Sequence, residues 1–114
     1  MTRPGYAIAH FTTLSRHSDV MDYLERIQET LDPFSGRFIV HGGEVEELEG
    51  GWKGTVAVIA FPGIAEARGW YRSAAYQAIL PLRTSHIEAS AILVEGVPDG
   101  YDPAATAAAL RQAT

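Results

Sequence analysis

The sequence predicts an α+β domain, a four-stranded antiparallel sheet with its helices on one side. Three observations predict it. Segments with strand character alternate with segments whose apolar residues recur at helical spacing. Their order is β-α-β-β-α-β, with one further helix at the C-terminal end. The 114 residues, 46% hydrophobic and 20% charged, match one ordinary domain with a single core.

Residues 5 to 12, GYAIAHFT, read as the first strand, with Tyr6, Ile8 and His10 on one face and Ala7, Ala9 and Phe11 on the other. A helix follows within SRHSDVMDYLERIQETLDP, where Val20, Leu24, Ile27 and Leu31 recur at helical spacing. Ser18 is its expected cap, Asp19 and Asp22 suit its first turn, and Asp32-Pro33 stops it. GRFIVHGG is the second strand. Without a bulge, parity sends Phe38 and Val40 toward the helices and Arg37, Ile39 and His41 to the other face. The segment Glu44 to Gly54, with three glycines, reads as a loose hairpin or bulged pair leading into the third strand, TVAVIAF. GIAEARGWYR is the second helix. A short third helical segment is capped by Ser73 and stopped by Pro81. HIEASAILVEG is the fourth strand, with Glu88, Ser90 and Ile92 on one face. Asp102 caps an Ala-rich last helix that has Pro103 at its first position. This order is the ferredoxin-like, split βαβ arrangement, a domain over residues 1–97 with a helical tail over 98–114.

A sheet with a solvated back alternates apolar and polar residues. TVAVIAF is apolar on both faces, and ASAILV nearly so. The Ala-rich tail offers little cover, so a second subunit is the expected one. Two such sheets packed face to face form a dimeric α+β barrel around a cavity.

Four stretches, GYAIAHF, GRFIVHGGEVEELEGGW, VAVIAFPGIAEARGWYRSAAYQAILPLR and AILVEG, resemble the domain of unknown function 1330 family over residues 5 to 96. The run Phe61-Pro62, Trp70-Tyr71, Ser73, Tyr76 and Leu80-Pro81-Leu82-Arg83 is its most specific part. The resemblance implies the ferredoxin-like fold and the dimeric α+β barrel superfamily. That superfamily includes antibiotic-biosynthesis monooxygenases, muconolactone isomerases and haem-containing chlorite dismutases. It implies architecture more than chemistry. His41 stands where Arg often precedes the Gly-Gly pair, and Gly63 where a small hydroxyl residue caps the second helix.

A net charge of −5 with dispersed basic residues argues against nucleic acid and against an anionic membrane surface. MTRPGYAIAHF lacks a signal-peptide core and no apolar run spans a bilayer, so the expected compartment is the cytoplasm. The absence of cysteine excludes disulfides, a thiol nucleophile and thiolate metal sites. The four histidines show no tight ligand spacing, so neither metal nor cofactor is expected, and His17 and His86 fall in connecting segments open to solvent. The glycines of GGEVEELEGGWKGT fit no phosphate-binding pattern and serve as turn residues.

What remains is a small-molecule pocket in a homodimer. Its expected ligand contacts are Tyr6, Arg37, Trp70, Tyr71, Tyr76 and Arg83, with Arg83 as anion clamp. His10 or His41 is the expected general base, because imidazole titrates near neutral pH. Cofactor-free oxygenation of an electron-rich substrate and proton-transfer isomerisation need only such groups. The competing expectation is a structural or interaction module whose dimer interface is simply packed core.

Overall fold

The computed structural model describes residues 2–113 and has the expected element order. Strands β1 (Gly5–Phe11), β2 (Arg37–His41), β3 (Thr55–Phe61) and β4 (Ala89–Glu95) form one antiparallel sheet ordered β2-β3-β1-β4. Helices α1 (Ser18–Leu31), α2 (Ile64–Arg72) and α3 (Ala74–Thr84) share one face of it, and α4 (Pro103–Gln112) follows β4. The core lies between that face and the helices. Tyr23, Ile27 and Leu31 of α1 meet Ala67 and Trp70 of α2, Tyr76 and Ile79 of α3, and Ile59 and Phe61 of β3.

The helix ends follow local chemistry, with two differences from the sequence expectation. α1 is capped by His17 rather than Ser18: the His17 Nδ1 accepts the Asp19 backbone N–H at 3.0 Å, and Ser18 is already helical. An imidazole nitrogen performs here the task usually given to a hydroxyl or carboxylate. Pro81 lies inside α3, which runs on to Thr84. Proline removes one helical hydrogen bond. The Gln77 carbonyl so freed is on the exposed side, while Ile79 and Arg83 are buried on either side of Pro81 and hold the helix together. The Ser73 cap of α3, the Asp102 cap of α4 and the stop of α1 at Asp32-Pro33 are as expected.

The second strand departs from simple parity. The β2–β3 register shifts between Phe38 and Val40. Phe38 pairs with Ile59 and His41 with Ala57, while Arg37 pairs with Ala60 and Val40 with Val58. Residues opposite each other on adjacent strands share a face. His41 therefore sits on the helix side with Phe38, its ring stacked on the Phe38 ring at 4.4 Å between centroids. Val40 takes the other face with Arg37. Ile39 is the extra residue of a bulge, which undoes the expected placement of His41 and Val40. The segment from Glu44 to Gly54 forms no strand and is exposed throughout. It re-enters the sheet through Gly54, whose φ of +92° suits glycine and whose missing Cβ leaves room for the Phe11 carbonyl oxygen.

The face away from the helices carries Tyr6, Ile8 and His10 of β1, Val56 and Val58 of β3, and Ile92 and Val94 of β4. It is apolar and open: Ile92 is 57% exposed and Val94 39%. α4 does not cover it. Every described residue from Asp99 onward is exposed, and the radius of gyration is 16.6 Å, against ~13 Å for a compact chain of this length. Among the described residues no helix is long and apolar enough to cross a membrane.

Candidate functional site

Part of the helix face of the sheet is built from short side chains, between the bulkier Phe11, Phe38, Ile59 and Leu93. Ala7 and Ala9 of β1 and Ala57 of β3 stand where bulky residues would otherwise fill the space. α1 packs chiefly on α3 rather than on the sheet. Together these leave a cavity of about 460 Å³ between sheet and helices, within the usual range for small-molecule sites. Val20, Leu24 and Ile27 of α1 line it, so the half-exposed Leu24 belongs to the cavity rather than the core.

The polar groups of this cavity converge at the α3 side. Tyr76 is 2% exposed, and its hydroxyl lies 2.7 Å from that of Tyr23, the rings meeting edge to face. Trp70 lies beside Tyr76, with 4.1 Å between ring centroids, and its indole N–H donates to the Thr30 hydroxyl at 2.9 Å. Thr30 in turn donates to the Ile27 carbonyl, so the buried indole is satisfied and fixed. Arg83, 8% exposed, places its guanidinium carbon 5.6 Å from the Tyr23 ring centre and 5.8 Å from that of Phe11. It stands in the last turn of α3, where the helix dipole favours a cation.

Arg83 is a buried cation without a carboxylate. Among the described residues the ion pairs are Arg3–Glu95, His17–Asp19 and His86–Asp19. Guanidinium remains protonated in proteins, so the charge persists. Burial disfavours it, but the phenols of Tyr23 and Tyr76 beside it outweigh burial and hold the guanidinium above its ordinary value. The Tyr23 phenol is pushed well above the ordinary tyrosine range, chiefly by burial, then by Tyr76; Arg83 opposes this more weakly. The Tyr23 hydroxyl is therefore a neutral donor and acceptor at physiological pH. Such an arrangement can hold an anion, orient it through two hydroxyls, and surround the rest of the molecule with apolar groups.

The residues singled out from the sequence divide between the two faces of the sheet. His41, Trp70, Tyr71, Tyr76 and Arg83 all line the sheet–helix cavity, with Tyr71, 37% exposed, far more accessible than Trp70 and Tyr76. Tyr6, His10 and Arg37 lie on the opposite face. There the His10 ring stacks on Trp52, brought over by the long loop, and its Nε2 lies against the Lys53 carbonyl. Sequence reasoning missed Tyr23 and the alanines. The buried stripe of α1 is Val20, Tyr23, Ile27, Thr30 and Leu31, and counting Tyr23 as apolar would have found it. His17 and His86, expected in solvent as separate loop residues, are stacked at 3.7 Å between centroids and share Asp19.

Comparison with solved structures agrees with the fold. A protein of unknown function from Rhodopseudomonas palustris superposes with a TM-score of 0.63 at 13% identity, over 84% of both chains. A methylated form of a Rhodopseudomonas palustris protein matches equally well, at 14% identity over 89% of this chain and 86% of that one. A dabb family protein with a ferredoxin-like fold, from Mesorhizobium loti, gives a TM-score of 0.51 at 10% identity, over 88% of this chain and all of the other. No curated protein matches the sequence. The family model for the domain of unknown function DUF1330 matches residues 4–97, and the chain, with its ferredoxin-like α+β fold, belongs to that family.

Proposed function

We propose that the protein binds a small, mainly apolar molecule bearing one anionic group, in the cavity between sheet and helices. One observation carries this reading: a buried guanidinium with no carboxylate partner adjoins an apolar space of about 460 Å³. A buried charge is costly unless something pairs with it, and a ligand carboxylate would do so bidentately. Tyr76 and Tyr23 orient that anion, Trp70 and Tyr71 supply aromatic contact, and His41 stands on the same side as the candidate base for proton transfer. Tyr6, His10 and Arg37 then belong to the other face. The test is isothermal titration with aryl and alkyl carboxylates, using matched amides as uncharged controls. Carboxylates should bind and raise the melting temperature while the amides do not. Equal responses to both, or to neither, would end the proposal.

The unit we propose is a homodimer over residues 1–97, with 98–114 as a tail. The open apolar face supports it, since Ile92 and Val94 are otherwise left in water. Sedimentation should give a dimer at micromolar concentration and a monomer for Ile92→Asp. A stable wild-type monomer would contradict it. The cytoplasm is the compartment proposed, where a chain without cysteine has no need of disulfides.

A further inference from the structure

We propose that His17, Asp19 and His86 are the protein ligands of a divalent transition-metal ion at the rim of the cavity. The three residues come from two places 67 or more positions apart: His17 and Asp19 begin α1, and His86 follows α3. Packing of α1 on α3 brings them together. The His86 Nε2 lies 3.0 Å from Asp19 Oδ2, the His17 Nδ1 lies 3.7 Å from the same oxygen, and the ligand atoms all fall within 4.8 Å of one another. Ligand bonds of about 2.0–2.1 Å put neighbouring donors roughly 3.0–3.4 Å apart. The His17 and His86 rings are stacked with 16° between their planes, so one ring must turn out of the stack for both lone pairs to meet one ion.

The chemistry of the donors narrows the ion. Two imidazole nitrogens and one carboxylate suit zinc, iron(II), cobalt(II) or nickel(II), whereas magnesium and calcium prefer all-oxygen sites. The His17 tautomer is already set for ligation at Nδ1, because that nitrogen accepts the Asp19 backbone N–H. The ion takes over this lone pair and ends the cap hydrogen bond. A neutral His86 ring that donates its Nε2 proton to Asp19 ligates the ion through Nε2 once that proton has moved to Nδ1 by a change of tautomer, so the ring stays neutral. The backbone on both sides is tied down. The His17 N–H donates to the Ser15 hydroxyl at 3.1 Å, and the His86 and Ile87 N–H groups donate to the Arg83 carbonyl at 3.1 and 3.0 Å. Ser15 and Ile87 line the cavity, which places the ion at its edge. Three protein ligands leave one or more positions for water or a ligand oxygen.

The experiment uses full-length, tag-free protein freed of metal with a chelator, then titrated with cobalt(II) or zinc(II) in the presence of excess magnesium. The expected result is one ion per chain, a visible cobalt spectrum, and a melting temperature raised by either metal. His86→Gln, outside any helix or strand, should weaken binding at least tenfold. Asp19→Asn should do the same, and the exposed Glu25→Gln should change nothing. Absence of saturable one-to-one binding, displacement by magnesium, or wild-type affinity in His86→Gln would overturn the proposal. The carboxylate titration, repeated with chelator present, keeps this outcome separate from that of the cavity.

Discussion

Replacing Arg83 by methionine should separate stability from binding, and the two should move in different directions. The guanidinium is 8% exposed and has aromatic neighbours at 5.6 and 5.8 Å but no carboxylate. Each cation–π contact contributes about 0.5–2 kcal/mol, so the pair contributes roughly 1–4 kcal/mol. Desolvating an ion costs several kcal/mol even after relaxation. Methionine retains much of the apolar stem, fills irregular space and removes that cost. The melting temperature of Arg83→Met should therefore hold or rise. A ligand carboxylate loses a charge-assisted interaction of about 1.5–3 kcal/mol, which weakens its binding roughly 10- to 150-fold. Calorimetric melting and titration with the tightest carboxylate of the panel measure both. A melting temperature lower by ~8 °C or more, about 2 kcal/mol in a domain of this size, would refute the reasoning. It would mean that the phenols and helix end already compensate the charge, which leaves no call for an anion.

Two further outcomes follow from single groups. Tyr23 keeps its proton in the folded protein above the ordinary tyrosine value of 10.0, whereas the unfolded chain loses it there. The unfolded state then binds fewer protons, so its share of stability is intact below pH 10 and falls as pH rises beyond it. Tyr23→Phe should flatten the alkaline limb of a denaturant-midpoint profile, and an unchanged limb would assign the effect elsewhere. Gly54→Ala should cost at least about 1–3 kcal/mol, because φ is +92° and the new Cβ runs into the Phe11 carbonyl oxygen. A urea midpoint within error of wild type would show that the loop simply relaxes.

The element order was legible because strand and helix periods differ strongly here and because Asp32-Pro33, Ser73 and Asp102 punctuate them. Pro81 misled because proline is a local signal, and the burial of Ile79 and Arg83 around it is not local. The candidate site was half legible. Trp70, Tyr71, Tyr76 and Arg83 form one run, so finding one found all. Arg37 and His41 were assigned a common face by strict alternation, which a single extra residue defeats. A bulge is written in the pairing of two strands rather than in the sequence of one. Where the space would lie was also hidden. It depends on Ala7, Ala9 and Ala57, whose smallness is informative only once their neighbours across the sheet are known. The cluster of His17, Asp19 and His86 was invisible for the same reason, its members being joined only by the packing of two helices.

The bulge at Ile39 also bears on how copies of this chain can meet. β2 is an edge strand, and an edge strand with regular spacing is a template on which another strand can add without limit. The shift between Phe38 and Val40 breaks that regular spacing midway along only five residues. Sideways growth into a continuous ribbon is thus discouraged at this border. In the homodimer proposed above, contact through the broad side of the sheet would end after two molecules, and the one misplaced residue keeps the edge from adding further copies.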